Sequence, residues 1–195
     1  MSREGHELLP IELLCENNAA IKQAIAHAIV ANNETHVEQL KLYDARGVRS
    51  IFQLQTEISV YIETGKNGEE GISVIISAII LDTKHALIGN RSINSHLFTS
   101  EDSIIKFSSD LEVANGFEGL GIGTALFEIT EEMIQWVIAR FPQYFLNKKV
   151  EILLHDVATS VSPQFSRKGW TSRRASGNYT RLRSFGNPVF IKNIQ

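Results

Sequence analysis

Residues 115 to 128, NGFEGLGIGTALFE, set Gly119, Gly121 and Gly123 at alternate positions directly ahead of a helical pattern. A backbone without side chains at a helix start leaves room and unpaired amides, in line with the positive end of the helix dipole. The ligand such a cradle suits is a phosphate or diphosphate. Thr124 adds a hydroxyl in the first turn. No Gly-Lys-Ser/Thr follows, which excludes a P-loop of the Walker type. The dinucleotide fingerprint is nearer, because Gly119 and Gly121 give G-x-G. Thr124, however, stands where its third small residue belongs, and Asp156 lies more than 30 residues on instead of about 20. Glycine before a helix also serves plain turns.

The longer stretch DLEVANGFEGLGIGTALFE, 110 to 128, resembles motif A of the GCN5-related N-acetyltransferases. In that motif a strand ending L-x-V leads through [Q/R]-x-x-G-x-[G/A] into a long helix; Gly121 and Gly123 take the two small positions. FSRKGW, Phe165 to Trp170, resembles motif B, and the resemblance covers about 104 to 172. It implies an acyl-CoA-dependent N-acyltransferase. The reaction expected is acetyl transfer from acetyl-CoA to a primary amine, by direct attack in a ternary complex and without a metal. It assigns the diphosphate of CoA to Glu118, Gly119, Leu120, Gly121, Ile122, Gly123 and Thr124. The pantetheine arm falls along the backbone of Leu111, Glu112 and Val113.

Three positions depart from the pattern. Glu118 stands where Gln or Arg is usual, and a carboxylate beside a diphosphate is unfavourable unless it points away or is paired. Phe165 replaces a Tyr that in many members protonates the leaving thiolate, and Ala158 replaces a frequent Asn. The alternative is therefore a degenerate member that binds CoA or a partner without turnover. Transfer needs a group to take the amine's proton and a donor for the developing oxyanion. Glu112 is the first candidate base, His155 the second, and Tyr179 a displaced acid. Asp110 and Glu112 share one face of their strand, and a plainly solvated face is the simpler account of them.

The chain that carries these residues has 195 of them, 43% apolar and 21% charged, which suits a single globular domain over 1–195. A net charge of −3 gives no global field toward nucleic acid or membrane. Cys15 is the only cysteine, so neither a disulfide framework nor a thiolate metal site can form within the chain. No apolar signal core opens the sequence, and the run Ile72 to Leu81 is too short to span a bilayer; a cytoplasmic setting is expected. From Val157 onward there are seven basic residues (Arg167, Lys168, Arg173, Arg174, Arg181, Arg183 and Lys192) and no acidic one. They are either a solvated edge or a surface meeting an anionic acceptor or partner. The expected partner is a small-molecule or peptide amine, with a homodimer as the further expectation.

The elements follow from periodicity. Two short helices are expected over 17–42, split at Asn32 and Asn33. A strand over 50–63 slips phase near Thr56, and an Asn-Gly turn fills 65–71. The apolar run from Ile72 predicts a central strand covered on both faces. Residues 83–103 are ambiguous between strand and loop. A strand over 104–114 puts Ile105, Phe107, Leu111 and Val113 on one face. One long helix runs from Gly121 to Arg140, with Pro142 as its stop. A strand over 149–157, a short helix over 160–168, and strands over 170–184 and from 188 complete the chain. The fold class is α/β (α+β): a mixed, mostly antiparallel sheet with helices on both faces. The family resemblance adds a V-shaped splay between the strands 104–114 and 149–157.

Overall fold

Pro10 fixes the entry to the first helix, α1 (Ile11–Val30), which buries Asn17, Ile21, Ala24, Ile25, Ala28 and Ile29 along one stripe. The computed structural model describes residues 9–31, 34–99, 104–154, 171–173 and 189–194. Among the described residues eight strands follow: β1 (Thr35–Tyr43), β2 (Arg49–Thr64), β3 (Glu70–Leu81), β4 (Leu87–Phe98), β5 (Ile104–Val113), β6 (Lys149–Leu154), β7 (Thr171–Arg173) and β8 (Val189–Ile194). Between β5 and β6 come α2 (Ile122–Glu128), α3 (Thr130–Arg140) and a single 3₁₀ turn at Pro142–Tyr144, where the expected proline stop falls.

The strands form one mixed, mostly antiparallel sheet in the order β1-β2-β3-β4-β5-β6-β8-β7. β5 and β6 run parallel, from Ile104 opposite Lys149 to Ser109 opposite Leu154. A parallel neighbour needs a crossover, and α2 with α3 supplies it. The last strand inserts between β6 and β7, antiparallel to both.

The chain divides into two compact units. The first takes Met1–Ile58, Ile76–Arg91 and Leu111–Trp136; the second takes Ser59–Ile75, Ser92–Asp110 and Val137–Gln195. In the first, α1 packs on β1 and on α2, over a core that includes Ile21, Ile25, Leu42, Leu54, Ile76, Ile80, Ile88 and Leu126. In the second, Ile93, Leu97, Ile105, Phe107, Val137 and Ile152 are buried, and Phe107 stacks on Phe145 with ring centroids 6.3 Å apart. Its strands are also tied by side chains: Ser109 Oγ donates to the Leu153 carbonyl and Ser95 Oγ to the Lys106 carbonyl, both at 3.0 Å.

Several expectations need correcting. The second helix over 33–42 is strand β1, and α1 begins at Ile11. Val37 and Leu40 sit three apart, as on a helix, but the buried set is Leu40 and Leu42, with His36 and Glu38 half-buried beside them. Period two wins because β1 pairs with β2 along its whole length, from Thr35 opposite Glu57 to Tyr43 opposite Arg49. Thr56 marks no slip in β2. It is buried in phase with Phe52, Leu54 and Ile58; Val60 and Ile62 continue that phase but are exposed, as is Tyr61 between them. β3 is central but buried fully on one face alone, with Ile75 exposed on the other. The ambiguous stretch contains β4. The expected Asn33 cap and the helix over 160–168 lie outside the described residues. No helix among the described residues is long and apolar enough to cross a membrane.

The long helix is two. Ile122, Leu126, Ile129, Met133 and Val137 are all buried as expected, but the helix breaks at Ile129, between α2 and α3. Thr130 gives the cause. Its hydroxyl donates to the Leu126 carbonyl at 3.3 Å, a back-bond that loosens a helix ladder, and accepts from Nε of the fully buried Arg91 at 2.8 Å. Thr130→Val keeps the shape and removes that acceptor. We expect it to lower unfolding free energy by about 2 kcal/mol, the usual cost of denying a buried charged donor its partner. Urea titration checks this; an unchanged midpoint would mean the hydroxyl contributes nothing.

Candidate functional site

The strand end, the glycine loop and the start of α2 all lie within the first unit. β5 is held to its last residues, since the Ala114 amide donates to the Ile88 carbonyl of β4 at 2.9 Å. The chain then turns: Phe117 N–H donates to the Ala114 carbonyl at 3.1 Å. Gly116, Gly119 and Gly121 have φ of +88°, +76° and +81°, the left-handed region that side chains disfavour. Phe117 packs edge-on against Phe52 of β2, 6.3 Å between centroids.

Gly121 is the N-cap of α2, and no side chain caps the helix there. Amides in a first helical turn have no partner within the helix. Here they belong to Ile122, Gly123 and the exposed Thr124, while the Ile122 side chain is buried. Glycine is required at Gly121 twice over. Besides its φ, an added Cβ would lie 2.8 Å from the Leu14 carbonyl oxygen of α1. At Gly123 a Cβ would meet Val113 Cγ2 at 3.2 Å, so helix start and strand end approach as closely as a residue without a side chain allows. Gly89 does the same beneath α2: a Cβ there would meet Ile122 at 2.9 Å and Leu126 at 3.1 Å.

Glu118 has a specific task in the loop. It is exposed, and its Oε2 accepts the Gly116 amide at 2.6 Å, closing the turn that begins the loop. Leu120 is buried, and its carbonyl accepts from Asn17 Nδ2 at 2.9 Å. Asn17 also binds the end of β1, donating to the Tyr43 carbonyl at 2.9 Å and accepting the Tyr43 amide at 2.7 Å. Asn17 was not among the residues expected at the site. The signal was there, a polar side chain on the same stripe as Ile21, Ala24, Ile25 and Ala28.

All the residues assigned to the diphosphate, 118 to 124, are thus brought together, with Leu111 and Val113 half-buried on the strand leading in. Asp110 and Glu112 are both exposed on the polar face of β5, as the solvated reading of that face has it. The described β5–β6 register ends at Ser109 opposite Leu154, and the splay expected beyond it involves residues outside the described ones. His155, Tyr179, Phe165, Ala158 and Asp156 lie outside the described residues too. Of the basic residues after Val157, only Arg173 on β7 and Lys192 on β8 fall in described strands.

No protein-family model and no curated protein matches the chain. Among solved structures it is similar to an acetyltransferase of the GNAT family from Staphylococcus aureus Mu50, at 12% identity over 62% of this chain and 68% of that one, with a TM-score of 0.39. It is similar to a GCN5-related N-acetyltransferase from Sphaerobacter thermophilus, at 15% identity over 50% of this chain and 29% of that one, with a TM-score of 0.35. The chain therefore spans less than a third of the Sphaerobacter protein. A nourseothricin acetyltransferase is similar at 14% identity over 83% of this chain and 98% of that one, with a TM-score of 0.39.

The glycine geometry gives a stability test that needs no ligand. Gly116 and Gly121 share the left-handed φ, but an added Cβ at Gly116 meets nothing within 4 Å. Gly116→Ala should cost about 1 kcal/mol, for the backbone region alone. Gly121→Ala should cost roughly 3 kcal/mol, because α1 must also give way. Chemical denaturation of the two variants checks the order; equal losses would mean that α1 does not close on the loop.

Proposed function

We propose that the chain is an acyl-CoA-dependent N-acyltransferase, moving an acetyl group from acetyl-CoA to the primary amine of a small molecule or peptide. The observation that carries this reading is the uncapped start of α2. It follows an L-x-V strand end through a loop whose Gly119 and Gly121 hold left-handed φ. A side chain at Gly121 or Gly123 would crowd Leu14 or Val113, so packing within the chain keeps this turn bare, which is also what a diphosphate bound by main-chain amides requires.

On this reading, the amides from Gly119 to Thr124 hold the diphosphate of CoA, and the backbone of Leu111 to Val113 takes the pantetheine arm as a strand would. When bound, acetyl-CoA supplies the thioester whose carbonyl carbon the amine attacks. Glu112, exposed at the end of β5, is the described carboxylate best placed by the motif to take the amine's proton. His155 remains the second candidate base and Tyr179 the candidate proton donor to the leaving thiolate. The Glu118 carboxylate is used within the loop, on the Gly116 amide. It still carries a charge near the proposed diphosphate, which sets binding below what a neutral residue would give.

Two measurements test the reading. Calorimetric titration with CoA, joined to a thiol-release assay over a panel of amines, should show both binding and release; binding without release would leave a CoA-binding domain without turnover. Thr124→Glu puts a carboxylate among the first-turn amides at an exposed position, with no packing to lose. It should weaken CoA binding by about tenfold or more without lowering thermal stability; wild-type affinity in this variant would refute the assignment of the loop.

Glu118 supplies a further test. Glu118→Gln retains an oxygen for the Gly116 amide and removes the charge, so CoA should bind about fivefold tighter. Glu118→Ala loses the oxygen as well and should gain less than the Gln variant. An Ala variant that binds CoA more tightly than the Gln variant would mean that the Gly116 bond does not hold the loop.

A further inference from the structure

The loop's amides are useful only if something turns them toward the ligand, and the residue that does so lies on another element. Asn17 of α1 is 1% exposed. Both of its Nδ2 hydrogens are used, one on the Leu120 carbonyl and one on the Tyr43 carbonyl, and its Oδ1 accepts the Tyr43 amide. The orientation of its side-chain amide is not arbitrary. Nδ2 faces two carbonyls and Oδ1 faces an N–H, so exchanging the two would break all three bonds.

We infer that Asn17 is the positioning residue of the glycine loop, aiming the Gly121 amide at the diphosphate by holding the Leu120 carbonyl. This rests on the function proposed above. The step from one atom to the other is peptide geometry. In a trans peptide the carbonyl and the N–H that follows it point in opposite directions, and the described chain contains no cis bond. With the Leu120 oxygen drawn toward Asn17, the Gly121 N–H must point away from α1. The Leu14 carbonyl stands 2.8 Å from where a Gly121 Cβ would be, so the same helix also bars any side chain from the turn. α1 therefore serves as the loop's platform, and the bonds to Tyr43 fix that platform to the end of β1.

No close substitute does the same. Asp would present a carboxylate to two carbonyl oxygens. Ser and Ala lack the reach for both ties, and Leu would leave two carbonyls and an amide buried without partners.

The test separates aim from mere stability. Wild type and Asn17→Asp are compared with three probes: CoA, ADP as a diphosphate without the pantetheine arm, and S-acetylpantetheine as an acyl donor without the diphosphate. Asn17→Asp should weaken CoA and ADP binding by about tenfold and raise the KM for acetyl-CoA equally. Its kcat, and its kcat/KM for S-acetylpantetheine, should not change. Equal affinity for CoA and ADP in the two proteins would overturn the inference, and so would a matching loss with S-acetylpantetheine. If the variant does not fold, amide chemical shifts of the wild type decide: ADP should move the Gly121 resonance, and a bound complex with that resonance unmoved would overturn the inference alone. Failure of the wild type to bind CoA or ADP would instead remove the functional reading beneath it.

Discussion

One buried amide fixes the geometry on which the rest depends. A primary amide taken out of water costs free energy unless its donors and acceptor are met. Asn17 meets them on two segments distant in sequence, Tyr43 and Leu120. The helix cannot slide or rotate without losing all three bonds together, so one side chain sets the register of α1 against both β1 and the glycine loop. The apolar stripe around it fixes only which face of α1 is inward. The burial of Ile21 and Ile25 is non-directional and does not by itself name a partner atom. Hydrogen bonds do, and here they turn a packed helix into a positioned one.

With α1 fixed, the glycines follow as consequences of space. Gly121 lies against the Leu14 carbonyl, Gly123 against Val113, and Gly89 under Ile122 and Leu126. At Gly121 a Cβ would meet the backbone of α1, and at Gly123 and Gly89 it would meet packed side chains, so the three positions together let α2 sit close on α1, β4 and the end of β5. The break at Ile129 belongs to the same arrangement. α2 stays seated on Gly89, while Thr130, held by Arg91, begins a second helix.

What the sequence disclosed depended on how local the cause was. The glycine loop, the Asn-Gly turn before β3, the alternation in β5 and the Pro142 stop are each set by a few neighbouring residues, and each was legible. β1 was not. Its Val37 and Leu40 fit a helical spacing, and only pairing with β2 decides for a strand. β4 was missed for a related reason: Leu87 to Phe98 buries Arg91 and Ser95 among its apolar residues and half-buries Asn90 and Asn94, so hydropathy alone does not mark it. Asn17 was the costliest omission, because its partners lie 26 and 103 residues away. A polar residue on an apolar stripe announces that it has partners and says nothing of where they are.

If the proposed reading holds, the departures from the motif that the sequence resembles carry unequal weight. The proposed diphosphate cradle consists of main-chain amides, and a substitution cannot remove an amide unless it introduces proline. Side chains act on such a cradle indirectly, by bending the loop or adding charge to it. Glu118 does both: it closes the turn at Gly116 and leaves a carboxylate nearby. A change at that position therefore tunes affinity within a range set by one exposed charge. Proton transfer is different, because a base or acid is a single side chain with nothing behind it. On the proposed reading, Phe165 lacks the hydroxyl that the resembled motif usually supplies, and another side chain, for which Tyr179 is the proposed candidate, would have to provide the proton. Binding in such a scaffold can thus outlast chemistry, and activity is decided at a few side chains that the loop does not control.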